Sequence, residues 1–508
     1  MATQSTGFAS HVLNFNVASL ALIGSVSLAI AYVLGTIVYN VYFHPLSKYP
    51  GPKLWAATRI PHVRSNFSGR SHQNILELHR EYGPVVRVAP DELAYNHPDS
   101  FKDLHGHLKK TTGDHGRDLV AVFESRHGII GANREDHSRF RRALSHGFSA
   151  QAMLEQQPII KAYVDLLLQR LRENCAGGSD ALDLVSWYNW TTFDVIGDLA
   201  FGEPFHCLGD SGYHPWVKLI FDSVKLVTFK TNIRRFPAFE KVLMKLLPAG
   251  IKTKREEHRA LTKEKVKKRI SAETERPDFM DSMLRKKGPE GLTFEELTTN
   301  SMTLITAGSE TTATALSGMT YYLLTNPNAL KKLNDEIRNS FTSEDEIDMI
   351  SSQKLVYMHA VINEGLRMYP PVPTGIPRKV MSDGGVFLGQ YVPPDTIVQV
   401  WHWAVYRSPE NFTLPDSFIP ERWLDDPRFA GDKKEAFQPF ATGPRNCIGR
   451  NLAYGEMRLI LARILWNFDM RLADESRRWA ERSRAYTLWE KGPLKVFLTP
   501  RATDSESK

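Results

Sequence analysis

With 508 residues, 42% of them hydrophobic and 24% charged, the chain is long enough to bury a large core and too apolar for a disordered polymer. Its three cysteines, Cys175, Cys207 and Cys447, do not amount to a disulfide framework and fit a reducing compartment. The net charge of +7 is spread along the chain with no aromatic stacking motif beside it, which argues against nucleic-acid binding.

From Met1 to Ser47 there is no Asp, Glu, Lys or Arg, and residues 17–43 form one apolar run. About 20 apolar residues span a bilayer, so a transmembrane anchor is expected at about 17–43 within an N-terminal segment 1–43. A cleaved signal peptide would show a basic start and a shorter apolar core. Lys48, Lys53, Arg59 and Arg64 follow the run, which by the positive-inside rule leaves the large remainder in the cytosol. Tyr49, Pro50, Gly51 and Pro52 then mark a stiff, proline-rich hinge, taken as 44–56, ahead of a catalytic body at 57–500 and a polar tail at 501–508. Asn66, Asn189 and Asn411 begin glycosylation patterns that a cytosolic body would leave unmodified.

Apolar periodicity predicts helices over 75–82, 158–173, 187–201, 216–247, 294–324, 328–341, 352–368 and 452–467, with strand-like pieces at 85–88, 386–391, 396–400 and 494–499. No linker or internal repeat interrupts the body, so one mostly α domain with small β-sheets is expected. His105, His107 and His115 could hold a second metal, but their loop offers no fixed scaffold and solvated loop histidines are common. His137 and Arg141, four residues apart, can face the same way on a helix, while Arg139 and Arg142 are expected to be solvated. The mixed charges at 252–269 read as a solvated helical face. Inside the apolar helix around 297–324, Ala307, Gly308, Ser309, Glu310, Thr311 and Thr312 break the pattern. Glycine weakens a helix, and an acid beside two threonines is costly there unless water or a ligand satisfies it. Glu364 and Arg367 lie three apart on one helix face, a pairing that in isolation is common on surfaces and worth little.

The run 440–449 holds Cys447 as a lone thiol, with Phe440 at its start, Gly443 and Gly449 on either side, and Arg445 two residues before it. A cysteine ionises where positive charge or backbone N–H groups hold the anion, and Arg445, the following helix start and the open backbone at the glycines can supply these. Zinc would need four ligands at short spacings, whereas haem iron takes one axial protein ligand. The alternative is a small residue packed in a buried turn.

This run resembles the haem-binding loop of the cytochrome P450 superfamily, and it follows Glu364 and Arg367, which match that family's Glu-x-x-Arg pair, and Pro420, Glu421, Arg422 and Trp423, whose arginine completes a buried charge network. The resemblance implies the cytochrome P450 fold, a helical prism around haem b preceded by a transmembrane helix, with Cys447 as the iron ligand and Phe440, Gly443 and Gly449 shaping its loop. Cations must meet the haem carboxylates: Arg445, Arg141 and, by resemblance, Arg378, with His137 standing where the family usually has tryptophan. The segment 307–312 resembles the family's oxygen-side helix, which assigns proton delivery to Glu310 and Thr311 and leaves Thr312 to packing.

By resemblance, electrons come from NADPH through NADPH–cytochrome P450 reductase, with cytochrome b5 as a further donor, and the protein is anchored by a single pass in the endoplasmic reticulum membrane. Basic surface residues suit docking of an acidic electron donor. The stretches 43–52 and 193–202 resemble fungal secondary-metabolism members, which oxidise polyketide, terpenoid or alkaloid intermediates. Substrate-facing side chains are expected from 117–123, 216–233, 303–307, 372–376 and 486–489, mostly apolar and suited to a hydrophobic small molecule. The activity read from all this is monooxygenation by hydroxylation or epoxidation. Desaturation or oxidative coupling is the alternative, and a haem sensor or carrier without turnover is a reading from a different class.

Overall fold

The computed structural model describes residues 6–106, 115–121, 126–246, 249–272, 276–286 and 288–501. The N-terminal apolar run is an unbroken helix, Thr6–Val38, that continues into a π-helical turn, Tyr39–Phe43. Its Ser19–Phe43 part is 25 residues long and 0% buried in the protein. At 1.5 Å per residue it reaches about 37 Å, more than the hydrocarbon thickness of a bilayer. The following segment is docked on the body: Leu46 is fully buried, Tyr49 Oη donates to the Tyr391 carbonyl at 3.1 Å, and the Arg87 N–H donates to the Pro50 carbonyl at 2.8 Å.

The body is organised around one long helix, Phe294–Thr325, whose start is fixed by a capping box between Thr293 and Glu296. This central helix carries apolar residues on nearly every side, and most of it is buried. Against it lies Leu184–Phe201, which is buried almost end to end. The two approach closely at Gly308, where an added Cβ would sit 2.6 Å from Ile196 Cδ1. That close approach explains why a helix-weakening residue is placed there. Ala150–Asn174, Val356–Met368 and Arg450–Asn467 complete the apolar core around the central helix.

Small sheets flank this helical body. The five-stranded one runs Val85–Ala89, Glu92–Tyr95, Ile397–Val400, Arg378–Lys379 and Gly116–Arg117, parallel only between Glu92–Tyr95 and Ile397–Val400. A three-stranded sheet joins Ala181–Asp183, Lys495–Pro500 and Phe468–Leu472, and Arg484–Tyr486 pairs with Leu488–Glu490 as a C-terminal hairpin.

Several expectations are corrected. The predicted helix 216–247 is two, Pro215–Ile233 and Pro237–Leu246, because Pro237 has no N–H with which to continue the first. The predicted strand 386–391 is a tight hairpin, Gly385–Phe387 with Gln390–Val392, turning at Leu388 and Gly389, both at positive φ. Arg139 is not solvated; it pairs with Glu296 and donates to the Gly291 carbonyl at 3.0 Å, fastening its helix, Arg134–Ser145, to the start of the central one. The charged stretch 252–269 lies in Ala249–Ser271, whose last turns are partnered rather than bare: Arg269 bonds buried Asp278 at 2.9 Å, and Lys265 bonds Glu203 at 2.6 Å. Asn189 and Asn411 are 1% exposed, so burial alone closes them to glycosylation.

Candidate functional site

The cysteine loop is tied across its own neck. The Cys447 N–H donates to the Phe440 carbonyl at 2.9 Å, the Asn446 N–H donates to the Gly443 carbonyl at 3.1 Å, and the Phe440 ring packs 5.2 Å from that of Tyr454. Gly443 has a φ of +75°, and a Cβ there would lie 1.7 Å from the His105 carbonyl oxygen, so any other residue would push the loop off its seat. Gly449 caps Arg450–Asn467, and its N–H bonds the sulfur. Cys447 is exposed by area although protein surrounds it on nearly all sides, which means that its open side faces an internal hollow. Burial pushes the thiol up, against the Gly449 N–H and the guanidinium groups of Arg141 and Arg450, which favour the thiolate. A bound cation would complete the ionisation, because a coordinating thiol loses its proton outright.

Arg445 is buried and donates to the Ala132 carbonyl at 3.0 Å. Arg141 donates to the Asn446 carbonyl at 2.6 Å and to its side-chain oxygen, so it holds the cysteine loop from the neighbouring helix. His137 is buried one turn before it. Arg378 is 2% exposed, donates to the His115 carbonyl at 3.2 Å, and stands directly opposite Arg117 in the antiparallel register. Like charges in that register repel. His105, His115 and His402 share the neighbourhood, and the His105 ring is held well below the usual imidazole range by burial and then by Arg378, Arg117 and the other histidines. A buried cluster of this sign fits an anionic group, as the carboxylates of a haem are. His105 and His115 are therefore neither solvated nor grouped as metal ligands, while His107 lies outside the described residues.

On the central helix the open face is Ala307, exposed between half-buried Thr306 and Gly308, and half-buried Thr311 one turn on, whose Oγ1 donates to the Ala307 carbonyl at 2.6 Å. Adjacent helical side chains diverge by about 100°, and Glu310 accordingly turns away from Thr311. Its Oε1 accepts from Lys491 and, at 3.1 Å, from Thr314, while Oε2 is buried with no protein donor among the described residues. Thr312 is packed, as expected, against the Arg450–Asn467 helix through a hydrogen bond to Glu456. Burial pushes the Glu456 carboxyl up to about 8. Its unfolded counterpart ionises near the ordinary value of 4.5, so the unfolded state binds fewer protons across that window and stability falls as pH rises through it. Glu456→Gln is expected to flatten that fall, read as unfolding midpoints measured from pH 4.5 to about 8.

The buried charge network forms as anticipated. Glu364 accepts from Arg367 at 2.9 and 2.7 Å, from Arg422 at 3.1 Å, from the Trp423 indole at 3.0 Å and from the Ile419 N–H at 2.8 Å. Asp432, which the motif did not announce, takes the far side of Arg422. Of the other expected pocket residues, Trp489 belongs to the core: its indole donates to the Pro370 carbonyl at 2.8 Å and stacks 4.4 Å from Tyr369. Trp216 and Val217 are likewise fully packed, and residues 122–123 lie outside the described residues.

A model of the family described as Cytochrome P450 matches residues 49–496. The chain is 50% identical over 486 residues to a trichothecene C-15 hydroxylase of Fusarium sporotrichioides, covering 95% of this chain and 98% of that protein. It is 46% identical to a cytochrome P450 monooxygenase of Talaromyces wortmannii, over 95% and 98% of the two chains. It is 44% identical to an averantin hydroxylase of Dothistroma septosporum, over 95% and 92%.

Proposed function

The chain belongs to the cytochrome P450 family, and from that premise we propose that it hydroxylates a hydrophobic polyketide, terpenoid or alkaloid intermediate of fungal secondary metabolism. The observation that carries this reading is Cys447, looped by Phe440, Gly443 and Gly449 so that its sulfur opens inward. When bound, haem supplies the redox chemistry: with two electrons and two protons it splits dioxygen, placing one oxygen atom in a substrate C–H bond and releasing the other as water.

The chain's own residues do the remainder. Cys447 supplies the thiolate, and Arg141 fixes its loop. Arg378, Arg117 and Arg445 would hold the cofactor by its carboxylates, offsetting negative charge that burial would otherwise make costly, and a His137 ring nitrogen would donate to them. Ala307 leaves room at the open face of the central helix. Thr311 passes a proton at Oγ1, and Glu310 holds the next one at Oε2, joined to it by water because the two side chains diverge. Electrons reach the site from NADPH through NADPH–cytochrome P450 reductase, with cytochrome b5 as a second donor. The exposed Ser19–Phe43 helix supports a single-pass anchor in the endoplasmic reticulum membrane with the body in the cytosol.

Two probes test the substrate class: a trichothecene lacking the C-15 hydroxyl, and averantin. Hydroxylation of either by the reductase-supplied enzyme supports the reading, and a failure to bind or turn over both removes it. With whichever probe is turned over, Thr311→Ala is expected to divert reducing equivalents to hydrogen peroxide and lower product per NADPH by roughly 100-fold, the low end of what a positioned proton-transfer group contributes. Unchanged coupling would overturn the role given to Thr311.

A further inference from the structure

The C-terminal hairpin delivers one side chain to the central helix that the reaction has not yet used. Lys491 follows the strand Leu488–Glu490, and its side chain is 3% exposed, as is that of Glu310, with which it pairs. An ammonium group stripped of water needs a firm partner. Glu310 is that partner among the described residues, and the pairing is lopsided. Lys491 and Thr314 both act on Oε1, while Oε2 is buried without a protein donor among the described residues. Two donors on one oxygen do more than neutralise a carboxylate; they set which way it is turned.

We propose that Lys491 is the positioning residue of proton delivery: by holding Oε1 of Glu310 it reserves Oε2 as the oxygen that loads and releases the proton. This rests on the reading of Glu310 as the relay acid. The backbone that carries Lys491 is pinned on both sides, which is what a preset donor requires. Trp489 bonds the Pro370 carbonyl at 2.8 Å, the Trp479 indole donates to the Gly492 carbonyl at 2.7 Å, and the Leu494 N–H donates to Asp183 at 2.9 Å. The other titratable side chains that feel Glu310 are Tyr213 and Tyr369, and burial keeps both phenols neutral. Neither replaces the charge of Lys491.

The test uses the full-length, haem-loaded protein in detergent. In NADPH-driven turnover with reductase and the averantin or trichothecene probe, Lys491→Met is expected to raise peroxide per NADPH several-fold. Adding it to Glu310→Gln should produce no further rise, as coupled residues require. A Lys491→Met protein that is less stable but keeps wild-type coupling would show the pair to be structural glue and overturn the proposal. Wild-type coupling in Glu310→Gln itself would instead remove the relay reading on which the proposal stands. If Lys491→Met does not load haem, Lys491→Leu, which likewise removes the donor, is read the same way.

Discussion

Cys447→His is expected to abolish the strongly red-shifted Soret band of the reduced, carbon monoxide-bound protein and, with it, monooxygenase activity. A thiolate pushes electron density onto iron and favours O–O cleavage, and a neutral imidazole does not. The loop is built around the sulfur. Its neck is closed by the Phe440 carbonyl, its partner N–H comes from Gly449, and Arg141 and Arg450 favour the anion. The histidine variant still offers a ligand, so haem content separates loss of the band from loss of the cofactor. Cys207→Ser serves as the control. The Cys207 thiol is buried, accepts from the His214 N–H at 3.4 Å, and is pushed up to about 12 by burial, which makes it inert. A wild-type spectrum in Cys447→His, or the same loss in Cys207→Ser, would contradict the assignment.

How much of this was legible beforehand depends on whether a residue acts through its neighbours in the chain or across the fold. The cysteine loop, the Glu364–Arg367 pair and the Ala307–Thr312 interruption are local patterns that stand out in the chain, and the family resemblance they carry together is what implies their chemistry. Helices came through where the apolar face is long and failed where a single proline divides a continuous pattern, as at Pro237. Arg117 was read as part of a substrate loop. Its place opposite Arg378 depends on a two-residue strand pairing that no periodicity announces. Lys491 and Glu310 lie far apart in sequence, as do Glu456 and Thr312. Nothing in either neighbourhood signals the partner. Arg141 is expected at the cofactor carboxylates, and its bonds to Asn446 add a hold on the cysteine loop that the sequence does not announce. Arg139 was expected in solvent because its flanks are charged, yet Glu296 at the start of the central helix was waiting for it.

Glu364→Ala is expected to be the most destabilising of the single changes, by about 3–5 kcal/mol, the cost of breaking a buried pair by removing one partner. Glu364 is fully buried and satisfies five donors or donor pairs drawn from Arg367, Arg422, Trp423 and Ile419, so its loss leaves guanidinium charge without water or counter-charge. Asp432 retains one side of Arg422, while Arg367 keeps uncharged acceptors, the carbonyls of Tyr406 at 2.9 Å, Pro415 at 2.6 Å and Ser417 at 2.9 Å and the Met368 sulfur at 3.0 Å. The damage has a route to the chemistry. Trp423 packs 4.7 Å from Phe437, and the next residue, Gln438, donates its N–H to Tyr406 Oη at 3.1 Å at the threshold of the cysteine loop. Haem release should therefore precede loss of helical structure on heating, read as Soret absorbance against far-ultraviolet circular dichroism. The sign of the pH dependence follows from the same contacts. Burial opposes ionisation of Glu364, but Arg367 and Arg422 prevail and hold its carboxyl below the ordinary range. Its stabilisation is then present above the unfolded carboxyl value and lost as pH falls through the folded one. Glu364→Ala should remove that acid-side slope, and a variant that unfolds like wild type at both neutral and acid pH would show that the network is not what holds the loop in place.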